Sequence, residues 1–399
     1  MRKDIDRILA KRGADGLLLY SESYLNPNMY YLTKFLTPDP FIFLKKVDSS
    51  PIILVNSMEF SRAKKESIVK DVRSFEDYGY SEVVKASKSP KIGVLKFLAS
   101  VIEREIGKGI VICVPPDFPL IAANALRRKG LTIRPMFDVV EKARETKMPE
   151  EIKEITRVQR INEKVLAEVI ELIKDCEVGA NKTLMNPKKE RTHLTMGYLK
   201  TFIAHKFLDN WCAIEKDIIV ACGPQSSNPH FHGYMKSKIK ANQPIVLDIY
   251  PRSIEKRYWS DMTRTIVKGK ASKEIKRMFE SVLDAKNVCI ESLRAGVLGN
   301  EVYNICCDIF EKAGYNTLRG GKKIEKGFIH SLGHGVGLEI HEKPAMNEFN
   351  RTPLEKHSVV SVEPGLYNPK IGGVRIEDIV EITSRGYNNL TEMPVELEI

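Results

Sequence analysis

The sequence predicts an α/β domain over residues 1–143 followed by an α+β domain over residues 144–399, and three observations carry the prediction. Short apolar runs alternate with helically spaced segments through the first third of the chain, the pattern of strands packed against helices. Between Glu141 and Pro149 the composition turns charged. The final quarter consists of short strand-like runs separated by glycine-rich turns. A chain of 399 residues, 43% hydrophobic and 29% charged, suffices for two globular domains and excludes disorder, collagen and a small disulfide scaffold.

The elements follow in order. Asp4 to Lys11 places Ile5, Ile8 and Leu9 at helical spacing, Gly13 and Gly16 stop the helix, and Leu17 to Tyr20 reads as a strand. Phe41 to Leu44 and Pro51 to Val55 read as neighbouring strands, the second feeding a helix from about Ser57 to Lys70. Lys91 to Leu95 and Ile110 to Val114 repeat the pattern of a strand followed by a helix. Pro149 then stands at a helix start with Glu150 and Glu151 in the first turn, where the helix dipole favours acids. That helix runs to about Lys174, and another spans about Arg191 to Phe207. Strands are expected at Asp217 to Ala221, Ile245 to Ile249 and Met262 to Val267, and helices at Lys273 to Leu293 and Asn300 to Ala313.

The 63 Lys and Arg exceed the 52 Asp and Glu by 11, but they come as scattered doublets such as Lys45–Lys46, Lys64–Lys65, Lys188–Lys189 and Lys322–Lys323. That is a solvated surface and not a nucleic-acid tail, so no nucleic-acid partner is expected. The seven cysteines, at 113, 176, 212, 222, 289, 306 and 307, lack the two-residue gap of a zinc knuckle or thioredoxin motif, which points to inert thiols in a reducing cytoplasm. The basic N-terminus from Met1 to Arg7 has no apolar stretch of the signal-peptide kind. No window approaches the roughly 18 apolar residues of a membrane span, so no membrane partner is expected.

The chemistry lies in the second domain. Asp248 ends an apolar strand, Asp261 begins the next, and Glu363 and Glu377 stand in or beside further apolar runs. A hairpin sets the two aspartates side by side. Unpaired buried carboxylates are costly, and two of them about 4 Å apart repel by roughly 4 kcal/mol at an effective dielectric of 20. Two divalent cations cancel the charge of the four carboxylates, and with one imidazole the set makes a balanced two-metal site. This oxygen-rich shell with a single histidine suits Mn²⁺, Co²⁺ or Fe²⁺, admits Zn²⁺, and is too poor in sulfur to select a soft metal.

At these residues the sequence resembles the pita-bread-fold metallopeptidases, the family of prolidase, aminopeptidase P and methionine aminopeptidase. The resemblance runs the length of the chain, with the first 143 residues similar to a creatinase/prolidase-type N-terminal domain, including Met29 to Phe35, and residues 144–399 similar to the catalytic domain. It implies that Asp248, Asp261, His334, Glu363 and Glu377 are the metal ligands. Asp248 would serve one ion, His334 and Glu363 the other, and Asp261 and Glu377 would be shared. His341, seven residues after His334 in the string Gly333 to Glu342, would face substrate and donate to the oxygen that gains charge. His230, in a Pro-His context, is favoured over His232 as a further substrate-facing histidine. Tyr367 and Arg375 would orient metal carboxylates. Glu363 would also carry a proton from water to the leaving nitrogen. One departure stands out: Ile249 to Ser260 is longer by two residues than the common spacing and lacks the usual glycine after the first aspartate. A longer hairpin absorbs an even-numbered insertion without exchanging its faces. Trp259 reads equally as a cover for the site and as a core residue.

The resemblance implies hydrolysis of Xaa-Pro bonds at a free N-terminus, with two divalent ions, Mn²⁺ or Co²⁺ favoured over Fe²⁺ or Zn²⁺. The expected substrate is a peptide with proline at its second position. An Xaa-Pro dipeptidase acting as a cytoplasmic homodimer is the leading expectation. The alternatives are an Xaa-Pro aminopeptidase acting on longer peptides and a catalytically inactive binding protein of the same fold.

Overall fold

The computed structural model describes residues 4–107, 109–321 and 323–399. Met1 to Lys3, part of the basic N-terminus, and Lys322 of the Lys322–Lys323 doublet lie outside them. The chain divides into two compact units, Met1–Arg144 and Glu145–Ile399.

In the first unit a mixed six-stranded sheet runs in the order Asp71–Ser74, Ile52–Val55, Phe41–Lys46, Gly16–Ser21, Val111–Val114, Thr132–Pro135. Gly16–Ser21 pairs antiparallel with Phe41–Lys46 and parallel with Val111–Val114. Its central place in the sheet explains why Leu17 to Leu19 form an unbroken apolar run, all three being buried. One expectation is overturned here: Lys91 to Leu95 is not a strand but the start of the helix Pro90–Ile106. The Ser89 hydroxyl accepts the Ile92 amide and Pro90 sits in the first turn, both helix-start signals. Gly93 breaks the helical look of the sequence for a packing reason, since a Cβ there would stand 2.7 Å from the Val84 Cα. The helix expected from Ser57 to Lys70 shortens to Phe60–Glu66, and Asp71–Ser74 becomes the edge strand.

The second unit pairs helices with sheets twice. Pro149–Lys174 and Met196–Leu208 share a core with the three-stranded sheet Met262–Ile266, Ile245–Ile249, Ile219–Cys222. Lys273–Ser292 and Gly299–Lys312 share a second core with a five-stranded sheet in the order Glu342–Met346, Gly333–Gly335, Val359–Val362, Asp378–Ile382, Tyr387–Asn389. The helix expected from Arg191 begins only at Met196, where Thr195 caps the Tyr198 amide at 3.1 Å. The preceding residues are drawn off into bridges, His193 to Met185 and Thr195 to Lys238. All seven cysteines are buried and free of disulfides.

The long hairpin keeps its register, with Asp248 opposite Thr263. Its extra length goes into Arg252–Ser253, which pairs with Cys212–Ala213, and Trp259 is a core residue whose indole donates to the Leu338 carbonyl at 3.2 Å. The two half-cores are joined through Met262–Ile266: Arg264 donates to the Glu377 carbonyl at 2.7 Å and pairs with Asp378 at 2.9 Å, and Asp378 also holds Lys286 at 2.6 Å. Burial raises the Asp378 carboxyl, yet the Arg264 and Lys286 charges outweigh it and hold the group below the usual carboxylate range. A depressed carboxylate stabilises the fold above its unfolded pKa and loses that contribution as pH falls through the folded value. Asp378→Asn should therefore lower stability by about 3 kcal/mol at neutral pH, because two buried cations lose their counter-charge. Denaturant midpoints measure it, and the deficit against wild type should shrink below about pH 4. A neutral-pH change under about 1 kcal/mol would contradict the bridging role.

Candidate active site

Five strand ends or turns of the second unit deliver the acidic residues and the imidazole to one cavity of about 370 Å³, lined by Asp248, Asp261, His334, Glu363 and Glu377 among others. Asp248 lies within Ile245–Ile249 and Asp261 immediately precedes Met262–Ile266, so the antiparallel pairing brings them together. Glu377 sits between Gly372–Arg375 and Asp378–Ile382, and its amide donates to the Thr263 carbonyl at 3.1 Å. His334 occupies the short strand Gly333–Gly335. Both flanking glycines are demanded by close strand approach: a Cβ at Gly333 would meet the Ser361 carbonyl oxygen at 2.0 Å, and one at Gly335 the Lys343 carbonyl oxygen at 2.2 Å.

The donor set fits divalent cations on three observations. Ligand atoms of Asp261, His334 and Glu377 all lie within 4.8 Å of one another. Asp261 Oδ1 and Glu377 Oε1 are buried with no hydrogen-bond partner among the described residues, a costly arrangement unless something positive binds them. His334 Nδ1 lies 3.1 Å from the Gly335 carbonyl and donates to it in the neutral ring, which turns the Nε2 lone pair toward Asp261 Oδ2 at 3.5 Å and Glu363 Oε1 at 3.3 Å. Three groups that all present lone pairs to one point need a proton or a cation between them.

The electrostatics agree. Burial and then the neighbouring carboxylates push Asp261 and Glu377 well above the ordinary carboxylate range. Asp248 is also raised by burial, against the opposing charge of Arg375. Of the four acids, Glu363 alone is lowered, to about 2: burial raises it, but the interaction with His334, and after it those with His330 and Arg375, prevail. In the absence of cations, protons on these groups relieve the repulsion.

Arg375, only 2% exposed, organises the wall behind this cluster. Its Nη2 donates to Asp248 Oδ2, its Nη1 to the Tyr367 hydroxyl at 2.7 Å, and its Nε to Thr263 Oγ1 at 3.3 Å. Thr263 in turn donates to Glu377 Oε2 at 2.8 Å. Sequence reasoning left one histidine of this network out: His330 also lines the cavity. Its Nδ1 faces the Ser331 carbonyl at 2.7 Å, so Nε2 accepts from Tyr367 at 2.9 Å. Burial lowers His330 to about 4, which keeps the ring neutral at pH 7. The available signal was spacing, since His330 stands four before His334 and an even interval keeps two side chains of extended chain on one face.

His341 lies with its ring centre 4.3 Å from that of His334 and is lowered to about 4 by burial and then by its proximity to His334. His230 and His232 both line the cavity. His232 has Nδ1 3.9 Å from Asp217, whereas His230 stands near enough to His330 and His341 to interact with both. Lys216 and Tyr250, also passed over in the sequence, complete part of the wall.

A two-unit chain whose larger part gathers four carboxylates and one histidine between paired sheets defines a metallopeptidase of the pita-bread type. Residues 153–384 match metallopeptidase family M24 and residues 1–105 match the creatinase/prolidase N-terminal domain, and the chain belongs to the M24 family. It is 30% identical to an Xaa-Pro dipeptidase of Pyrococcus horikoshii, over 99% of this chain and 97% of the relative. An Xaa-Pro dipeptidase of Pyrococcus furiosus is 36% identical over 65% of this chain and 72% of the relative. Among solved structures, the prolidase from Pyrococcus horikoshii aligns with a TM-score of 0.76 at 28% identity, covering 99% of each chain. The Xaa-Pro dipeptidase from Bacillus anthracis aligns with a TM-score of 0.80 at 26% identity, covering 100% of this chain and 99% of the other.

The cradle predicts metal-linked stability. Adding Mn²⁺ or Co²⁺ to chelator-treated protein at about 100 times the dissociation constant should stabilise it by roughly 2.7 kcal/mol per independent site. Thermal melting reads this as a rise in midpoint. Glu377→Gln should lose most of the rise, and a full rise in that variant would place the ions elsewhere.

Proposed function

We propose that this chain is an Xaa-Pro dipeptidase using two divalent ions, Mn²⁺ or Co²⁺ in preference to Fe²⁺ or Zn²⁺, and working as a cytoplasmic homodimer. Residues 1–143 are its creatinase/prolidase-type domain and residues 144–399 its catalytic domain. The observation that carries the reading is the near-full-length similarity to an Xaa-Pro dipeptidase, together with a cavity lined by four carboxylates, the imidazole of His334 and four further histidines.

An Xaa-Pro bond has no N–H, and the proline ring fixes the backbone, so strand-like hydrogen bonding cannot hold substrate at that residue. Anchoring must come from the cavity's charged and polar groups. Asp248, Asp261, His334, Glu363 and Glu377 would hold the two ions, which when bound polarise the peptide carbonyl and acidify water. Glu363 takes the proton released by the attacking water and delivers it to the imino nitrogen of the leaving proline. His341 stays neutral at pH 7 and so keeps one N–H to donate to the carbonyl oxygen as its charge grows. His230 contacts the substrate from the loop after Gly223–Ser227. Arg375 fixes Asp248 directly and Glu377 through Thr263, and Tyr367 ties the same guanidinium to His330.

Two measurements check this. Metal-loaded protein should cleave an Xaa-Pro dipeptide and leave an Xaa-Pro-Yaa tripeptide largely intact; preference for the tripeptide makes it an Xaa-Pro aminopeptidase, and no cleavage of either makes it a binding protein of this fold. Glu363→Gln should lower kcat by about a hundredfold or more while circular dichroism stays unchanged. Near-normal turnover would remove Glu363 from the proton path.

A further inference from the structure

Lys216 carries the inference, which rests on the dipeptidase reading. It belongs to the segment Glu215–Lys216–Asp217 that leads into the strand Ile219–Cys222. Both flanking acids are engaged by other cations: Glu215 by Arg252 and by Arg257 at 3.2 Å, and Asp217 by Lys200 at 2.7 Å. The Asp217 carbonyl also accepts the Tyr250 hydroxyl, which fixes the segment against the cavity wall. Among the described residues Lys216 forms no ion pair, and its side chain lines the catalytic cavity instead. Its ammonium lies 5.8 Å from the centre of the Trp259 ring, whose buried position gives the lysine stem a rigid support. It is near enough to His341 for its charge to be felt there.

The other strong cation on the wall, Arg375, is fully committed to Asp248, Tyr367 and Thr263. Among the described residues Lys216 is thus the one ammonium lining the cavity that is left for an incoming anion. A dipeptide is a zwitterion. Its amino end suits the acidic cluster, while its carboxylate is repelled by the same cluster and requires a positive partner elsewhere in the cavity. A tripeptide or an amide carries no charge at that point. We propose that Lys216 Nζ binds the carboxylate of the substrate's C-terminal proline and so sets the preference for a dipeptide with a free acid end.

The test compares an Xaa-Pro dipeptide with the corresponding Xaa-Pro amide on metal-loaded protein. A charge-assisted hydrogen bond of this kind corresponds to roughly 10- to 100-fold in binding. Wild type should favour the free acid by that factor. Lys216→Met should raise KM for the free acid by a similar factor with kcat changed about twofold at most, so that the acid-over-amide preference collapses, and Lys216→Arg should retain most of it. Loss of a charge beside His341 acts on both substrates alike, so the ratio separates anchoring from a general effect on the histidine. An unchanged ratio in Lys216→Met overturns the proposal and leaves the dipeptidase reading intact. Wild-type protein that cleaves neither compound overturns both.

Discussion

Mutual repulsion among buried carboxylates is the constraint on which this structure turns. Asp261 and Glu377 each keep one oxygen buried and unpartnered, and both carboxyls are driven upward by burial and by their neighbours. A fold tolerates such a cluster only if cations or protons complete it and if the surrounding scaffold is stiff enough to hold the groups together. The scaffold supplies that stiffness by tying the two halves of the catalytic unit at the site itself. Arg264 bridges to Asp378, Glu377 donates its amide to Thr263, and Arg375 exchanges hydrogen bonds with Thr265 at 2.9 and 3.0 Å.

The histidines show how the same environment serves different ends. His334 donates through Nδ1 and turns Nε2 to the carboxylates, while His330 donates through Nδ1 and accepts a hydrogen bond from the Tyr367 hydroxyl on Nε2. Burial keeps His330 and His341 neutral at pH 7, so each ring has one donor and one acceptor to use. The wall behind them is neutralised internally through Arg375. Among the described residues positive charge reaches the open cavity chiefly through Lys216, and the asymmetry between an acidic end and this ammonium matches a small zwitterion.

Much of this is readable before any folding is known. Acids placed in or beside apolar runs are anomalous in sequence because burial of an unpaired charge is so unfavourable, and that anomaly marks Asp248, Asp261, Glu363 and Glu377, whereas His334 is read only from the family resemblance. His330 escapes notice because one histidine four residues before a ligand resembles any loop histidine until Tyr367 and Arg375 are seen behind it. Lys216 escapes for a simpler reason: between Glu215 and Asp217 it looks like one charge of a solvated surface. Lys91 to Leu95 misleads because a short apolar run carries no period long enough to separate a strand from a helix. The helix there depends on the Ser89 cap and on the close passage of Gly93 over Val84.

The sequence by itself determined the fold class, much of the alternation of strands and helices, and which acids are candidates to hold metal, since these depend on local pattern and on the cost of burying charge. Tertiary structure decided which cations are spent and which are free. Arg375 is consumed by Asp248 and Tyr367 from distant parts of the chain, and Glu215 and Asp217 turn away from Lys216 toward Arg252, Arg257 and Lys200. Pairing across such distances is set by packing and not by neighbours in sequence, so the charge that Lys216 leaves facing the cavity emerges only when the chain is folded.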